Sequence, residues 1–334
     1  MIRLFVSLLI LAFLSSCTKQ RTVVLYTALD REFSEPILKA FEKKTGIKVL
    51  AKYDTESTKT IGLVNLLRSE KKRPRCDVFW NNEILNTIQL KNEGLLQSYA
   101  SPVASSYPGV FVDKDNCWTG FAARARIILV NTDLVGKSEE PKSIYDFTKP
   151  KWKGKTGIAK PLFGTTASHV ACLFVVLGEE KAKSLFLKMK ANNVQIEAGN
   201  KQVAENVASG KLAFGFTDTD DAIIEVEKGK AVKIIYPDTG ESAMGTLFIP
   251  NTVSLMKNAP HTVEAKMLID YLLSKEVEIA LADSPSAQIP LNTEVNHKTR
   301  VKTPKEIKAI EVDFVLAAER FKNAAIFIKE NFLN

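Results

Sequence analysis

The sequence predicts an α/β protein of two lobes, each a doubly wound mixed sheet, joined by strands that act as hinges. Three observations predict this. Short, continuously apolar runs alternate with stretches of helical periodicity, the rhythm of parallel strands buried on both faces. The rhythm stops at the loop-rich residues 101–118 and then restarts. Removing a leader of residues 1–16 from the 334 leaves 318, more than one hydrophobic core usually serves. No Ser/Gly/Pro-rich linker separates the two halves, which suits strand-like hinges.

The elements follow in order. Val23–Tyr26 is a first strand; Phe33, Ile37, Ala40 and Phe41 then repeat at helical spacing, and Gly46 stops that helix. Ile47, Val49 and Ala51 alternate as a second strand. A helix around Ile61, Val64 and Leu67, the strand Asp77–Trp80, and a helix over Ile84–Leu90 follow. After the break come strand ARIILVN, strand TGIA, helices HVACLFVVL and EEKAKSLFLKMK, strand KLAFGFT, helix DAIIEVEKG and strand AVKIIYP.

The chain opens MIRLFVSLLILAFLSSC, one basic residue followed by an apolar run too short to span a membrane, which reads as a signal peptide over residues 1–16. Leu14–Cys17 resembles a bacterial lipobox, which implies lipidation of Cys17, a tether over 17–22, and a body held at the cell envelope, on its periplasmic or extracellular face. The net charge of +8 comes from Lys and Arg scattered along helices, with no aromatic-interleaved basic patch, so nucleic acid is not the expected partner. Cys76, Cys117 and Cys172 besides Cys17 allow at most one disulfide among them and no cysteine scaffold.

Catalytic patterns are missing. In KGKTG, Lys149 stands where a phosphate-binding loop needs a glycine, and no metalloprotease or nucleophile-elbow motif surrounds His169, His261 or His297. The acidic run at Asp218, Asp220 and Asp221 fails the EF-hand template, because Ala222 and Ile223 take the ligand and glycine positions. A binding protein without a cofactor is expected rather than an enzyme.

Taken together, YTALD, TGIKV, DVFWNNE, PKWKGKTGIA, GTTAS, KLAFGFTDTDD and QIPLN, in that order over residues 23–295, resemble the bacterial extracellular solute-binding proteins, in the branch that includes ferric-iron binders. The resemblance implies a type II periplasmic-binding fold, cargo held between the lobes, and delivery to an ABC transporter permease; a monomer is expected. It also implies two interlobe crossings, near Arg124 and Gly245, giving lobe 1 residues 23–124 and 246–300 and lobe 2 residues 125–245 and 301–334. The ferric branch carries a histidine, a glutamate and two adjacent tyrosines where this sequence has Asp30, Asn82, Asp218 and Thr219, other oxygen donors.

Doubly wound sheets bind ligands at the carboxyl ends of their strands. Those ends supply the candidate ligand residues Asp30, Trp80, Asn81, Asn82, Glu83, Arg124, Thr165, Thr166, Asp218, Thr219 and Asp220. Three chemistries stay open. Asp30 and Asp218 could hold a hard metal ion as cargo; an amine-bearing solute could stack on Trp80 beside Asp218 or Asp220; or GTTAS at a helix start, with Arg124, could hold a phosphorylated solute. Each residue also has a structural role to set beside these: Asp30 and Asp218 as helix caps, Asn81 and Asn82 as a turn, Trp80 as core. Asp218→Ala is expected to weaken ligand binding far more than it lowers the melting temperature.

Overall fold

The computed structural model describes residues 20–54 and 60–334; the expected signal peptide, Cys17 and residues 18–19 of the expected tether lie outside them. The first half alternates β1 (Thr22–Thr27), α1 (Arg31–Thr45), β2 (Lys48–Tyr53), α2 (Ile61–Ser69), β3 (Val78–Asn81), α3 (Leu85–Asn92) and the short β4 (Leu96–Gln97). After irregular chain comes the 13-residue β5 (Thr119–Asn131). The second half runs β6 (Thr156–Ala159), α4 (Gly164–Val176), α5 (Glu179–Ala191), β7 (Gln195–Glu197), α6 (Asn200–Ala208), β8 (Phe214–Asp218), α7 (Thr219–Glu227) and β9 (Val232–Ile235). The chain then returns through β10 (Phe248–Met256), α8 (Thr262–Leu272) and α9 (Lys275–Asp283), and ends in α10 (Phe314–Phe327).

The strands form one curled sheet in the order β2-β1-β3-β10-β5-β8-β6-β7, with β4 also on β10 and β9 also on β5. Its two ends are parallel blocks, β2-β1-β3 and β8-β6-β7, and the antiparallel strands β10 and β5 join them. β5 is the strand that changes partner: Thr119–Ala125 pair with β10, and Arg126–Val130 pair with β8. The second passage between the blocks runs by Gly245, whose φ of +99° and close approach to the Ala309 backbone leave no room for a Cβ.

Amphipathic helices cover the blocks. α1 buries Phe33, Ile37, Leu38 and Phe41, and its last turn closes on Gly46 in the left-handed conformation. α10 belongs to neither half alone: Phe314, Ala317 and Ala318 pack with Tyr26, Leu63 and Leu85 of the first half, whereas Ala324 packs with Phe174 and Phe186 of the second. All three cysteines among the described residues are free thiols, so the disulfide left open by the sequence is not formed between them. No described helix is long and apolar enough to cross a membrane.

A buried carboxyl group braces the hinge strand. Glu278 of α9 accepts hydrogen bonds from the backbone N–H groups of Ala122 (2.7 Å), Leu291 (2.6 Å) and Asn292 (3.2 Å), fixing β5 where Ala122 takes a left-handed φ of +43°. Burial pushes its pKa up to about 7 against the pull of those donors. An acid whose pKa is raised on folding binds its proton more tightly in the folded state, so its contribution favours folding most below the unfolded value and declines as pH rises through 7. Glu278→Gln, which places an amide N–H₂ among N–H donors, is expected to be destabilised throughout. The deficit relative to wild type should be larger at pH 5 than at pH 8 by about 2–3 kcal/mol, read by urea denaturation; an equal deficit at both pH values would exclude titration of this carboxyl.

Candidate functional site

The carboxyl ends of five strands meet in a cleft between the two parallel blocks. Asp30 follows β1, Asn82 follows β3, Ala159–Thr166 follow β6, Ala198–Asn200 follow β7, and Asp218, Asp220 and Asp221 stand at the end of β8; Arg124 forms part of the wall from β5. Four helices, α1, α4, α6 and α7, begin at this cleft, and none of them has a side-chain cap. The first-turn N–H groups of a helix have no intrahelical acceptor and carry the positive end of its dipole, so their convergence makes the cleft receptive to an anionic group.

The charged residues are arranged in two layers. In the inner layer Arg126, fully buried, reaches Asp218 Oδ1 at 2.7 Å and Asn200 Oδ1 at 3.0 Å through Nη1, with its guanidinium 4.7 Å from the Phe216 ring centre. The other oxygen of Asp218 accepts from Thr165 Oγ1 and from Asn200 Nδ2 (2.9 Å), and Thr166 Oγ1 donates to Asn200 Oδ1 at 3.1 Å. His169 stacks on Phe216, and burial together with Arg126 holds its pKa well below the ordinary histidine value, so it is neutral. In the outer layer Arg124 pairs through Nε with Asp220 Oδ2 at 3.0 Å and donates from Nη1 to the main-chain oxygen of Asn82 at 2.8 Å. Burial alone would lower its pKa; the carboxylates of Asp220, Asp218, Asp30 and Asp221 outweigh that and hold it above the usual arginine value.

Seven of the sequence-predicted residues thus line one cleft: Asp30, Asn82, Arg124, Thr165, Thr166, Asp218 and Asp220. Four do not. Trp80 is wholly buried, its ring 5.5 Å from that of Phe121, and offers no face to a ligand, because β3 is covered on both sides. Asn81 Nδ2 is turned inward to Glu83 and Thr87. Glu83 accepts from Leu85 N (2.7 Å) and Asn86 N (3.1 Å), capping α3, and from Ser168 Oγ (2.7 Å) across the two halves. Thr219 Oγ1 accepts from the Ala125 N–H. The four build the wall without facing the cleft. Asp218 is on the lining, with both its oxygens hydrogen-bonded within the protein.

The sequence reading missed Lys160, Phe163, Gly199, Asn200 and Asp221 as lining residues. Asn200 carried a signal, an Asn before the periodic apolar residues Val203 and Val207, although it sits at the first helical position and ties Asp218 to Thr165 and Thr166 instead of capping. Among the described residues, no tyrosine or histidine lines the cleft.

Comparison with known proteins agrees with this architecture. The family model described as bacterial extracellular solute-binding protein matches residues 87–317. The chain is 24% identical over 309 residues to the major ferric iron-binding protein of Neisseria meningitidis, covering 89% of each chain. It is 26% identical over 258 residues to a putative 2-aminoethylphosphonate-binding periplasmic protein of Salmonella typhi, covering 76% of this chain and 73% of that one. In structure it superposes on the periplasmic binding protein AfuA of Actinobacillus pleuropneumoniae, solved with exogenous fructose-6-phosphate bound, with a TM-score of 0.83 at 25% identity over 95% of this chain and all of that one. The expected two-lobed type II periplasmic-binding fold is thereby borne out.

Proposed function

The chain belongs to the bacterial extracellular solute-binding protein family, and from that premise we propose that its cleft captures a small organic phosphate or phosphonate and delivers it to the permease of an ABC importer. One observation carries the reading: the uncapped starts of α4 and α6 converge beside Arg124 on a cleft that, among the described residues, has neither tyrosine nor histidine in its wall. Backbone N–H groups at helix starts and a fork-shaped guanidinium suit the phosphoryl group. The carboxylates of Asp30, Asp220 and Asp221 suit hydroxyl or amino groups on the rest of the solute. The aminoethylphosphonate-binding relative and the sugar-phosphate complex of AfuA support this assignment.

A metal cargo has two observations in its favour, the similarity to the ferric iron-binding protein and the carboxylate oxygens of Asp218, Asp220 and Asp221 within 4.8 Å of one another. Two of these acids are already paired with Arg126 and Arg124, and a multivalent cation would have to replace both guanidinium partners. The same proposal includes export through residues 1–16, lipid anchoring at Cys17, action as a monomer, and no catalytic step. It takes lobe 1 as residues 23–124 and 246–300 and lobe 2 as residues 125–245 and 301–334.

The purified mature protein should bind at least one of 2-aminoethylphosphonate and fructose-6-phosphate with a Kd of about 1 μM or lower in calorimetry. Native mass spectrometry with elemental analysis of the protein as isolated should find phosphorus rather than iron. Stoichiometric iron, with no heat from either phosphoryl compound, would overturn the reading.

A further inference from the structure

We infer that Asp220 is a built-in counter-anion that sets the charge of the accepted solute, favouring phosphonates or phosphates that carry their own ammonium group. The inference rests on the phosphoryl reading above and specifies its solute class. It begins in strand register. β5 and β8 run antiparallel with Arg126 opposite Asp218. Two residues earlier on β5, Arg124 pairs with Asp220 in the first turn of α7, just past the end of β8, so two Arg–Asp pairs follow one another where β8 gives way to α7.

The two pairs differ in access. The inner one keeps its arginine off the cleft wall, with Arg126 fully buried and both oxygens of the lining Asp218 engaged within the protein. The outer one opens on the cleft, because Arg124 and Asp220 both line it. Arg124 has one nitrogen committed to the Asn82 carbonyl and another facing Asp220. An oxyanion that reaches this guanidinium therefore arrives beside the Asp220 carboxylate, in a cleft walled by Asp30, Asp218, Asp220 and Asp221 against Arg124 and Lys160, with Arg126 behind. Like charges held together at low dielectric repel strongly. A solute that brings only a dianion adds to that repulsion, whereas one with an ammonium group relieves it by pairing with the carboxylate as its oxyanion takes the guanidinium.

The test uses two probes of equal length that differ only at one end, 2-aminoethylphosphonate and 2-hydroxyethylphosphonate, titrated into the wild-type protein and Asp220→Asn. Wild type should prefer the amine at least tenfold. Asp220→Asn should reduce that preference tenfold or more, mainly by tightening the hydroxyl compound. Asp220→Ser serves as the second variant, and melting curves confirm that each is folded. An unchanged preference in the folded variants overturns the inference and leaves the phosphoryl reading standing. Failure of wild type to bind these probes, inorganic phosphate and fructose-6-phosphate overturns both.

Discussion

Asp218→Ala is expected to cost about 3–5 kcal/mol of stability, the range for removing one partner of a buried ion pair. That corresponds to a fall in Tm of roughly 6–15 °C, with ligand binding lost alongside it. The reason is what stays behind. Arg126 is fully buried and its remaining charged partner is gone; Thr165 Oγ1 and Asn200 Nδ2 lose their common acceptor; and Phe216 supplies only a ring face. This reverses the order of effects that a metal-ligand role for Asp218 predicts. A double replacement, Arg126→Met with Asp218→Leu, removes the stranded charge and should recover at least half of the lost stability, because an apolar pair of similar volume often substitutes for a buried ion pair. Thermal melts of the three variants decide the matter. If Asp218→Ala melts within 2 °C of wild type while binding is abolished, Asp218 acts on the ligand and not as the anchor of Arg126.

What the sequence reveals and what it hides have physical causes. The continuous apolar runs at Val23–Tyr26 and Val78–Trp80 mark strands buried on both faces, and polar residues just beyond such strands converge in a doubly wound sheet; that is why Asp30, Asn82, Thr165 and Asp218 are legible as neighbours. The same double burial hides which way each side chain points. No polar alternation separates Asn82, which lines the cleft, from Asn81 and Glu83, which turn inward, or tells that Trp80 belongs to the core. Register is hidden as well. Arg124 and Arg126 share a strand face, and Asp218 and Asp220 are likewise two apart, but pairing them needs the alignment of strands some ninety positions apart in sequence, which local pattern does not encode. The first residues of β5 escape for a similar reason, since Thr119–Arg124 are strand only because β10 and Ile289, far along the chain, pair with them.

Arg124→Met is expected to weaken binding of the phosphoryl solute at least a hundredfold while the protein stays folded. Losing a charge-assisted contact in a partly desolvated site costs about 2–5 kcal/mol, which brackets that factor. The fold tolerates this loss better than that of Asp218, because Asp220, the partner left behind, lies at the cleft wall where water can reach it, and a methionine fills much of the arginine stem's volume. Arg124→Lys separates charge from geometry. Lysine restores a positive charge but not the planar fork, and it cannot serve the Asn82 carbonyl, Asp220 and an oxyanion from three directions fixed in one plane. It should therefore regain less than a tenth of the lost affinity. Full rescue by lysine would mean that the cleft needs only a charge at this position, and Arg124→Met binding within tenfold of wild type would leave the starts of α4 and α6 as the anchor without the guanidinium.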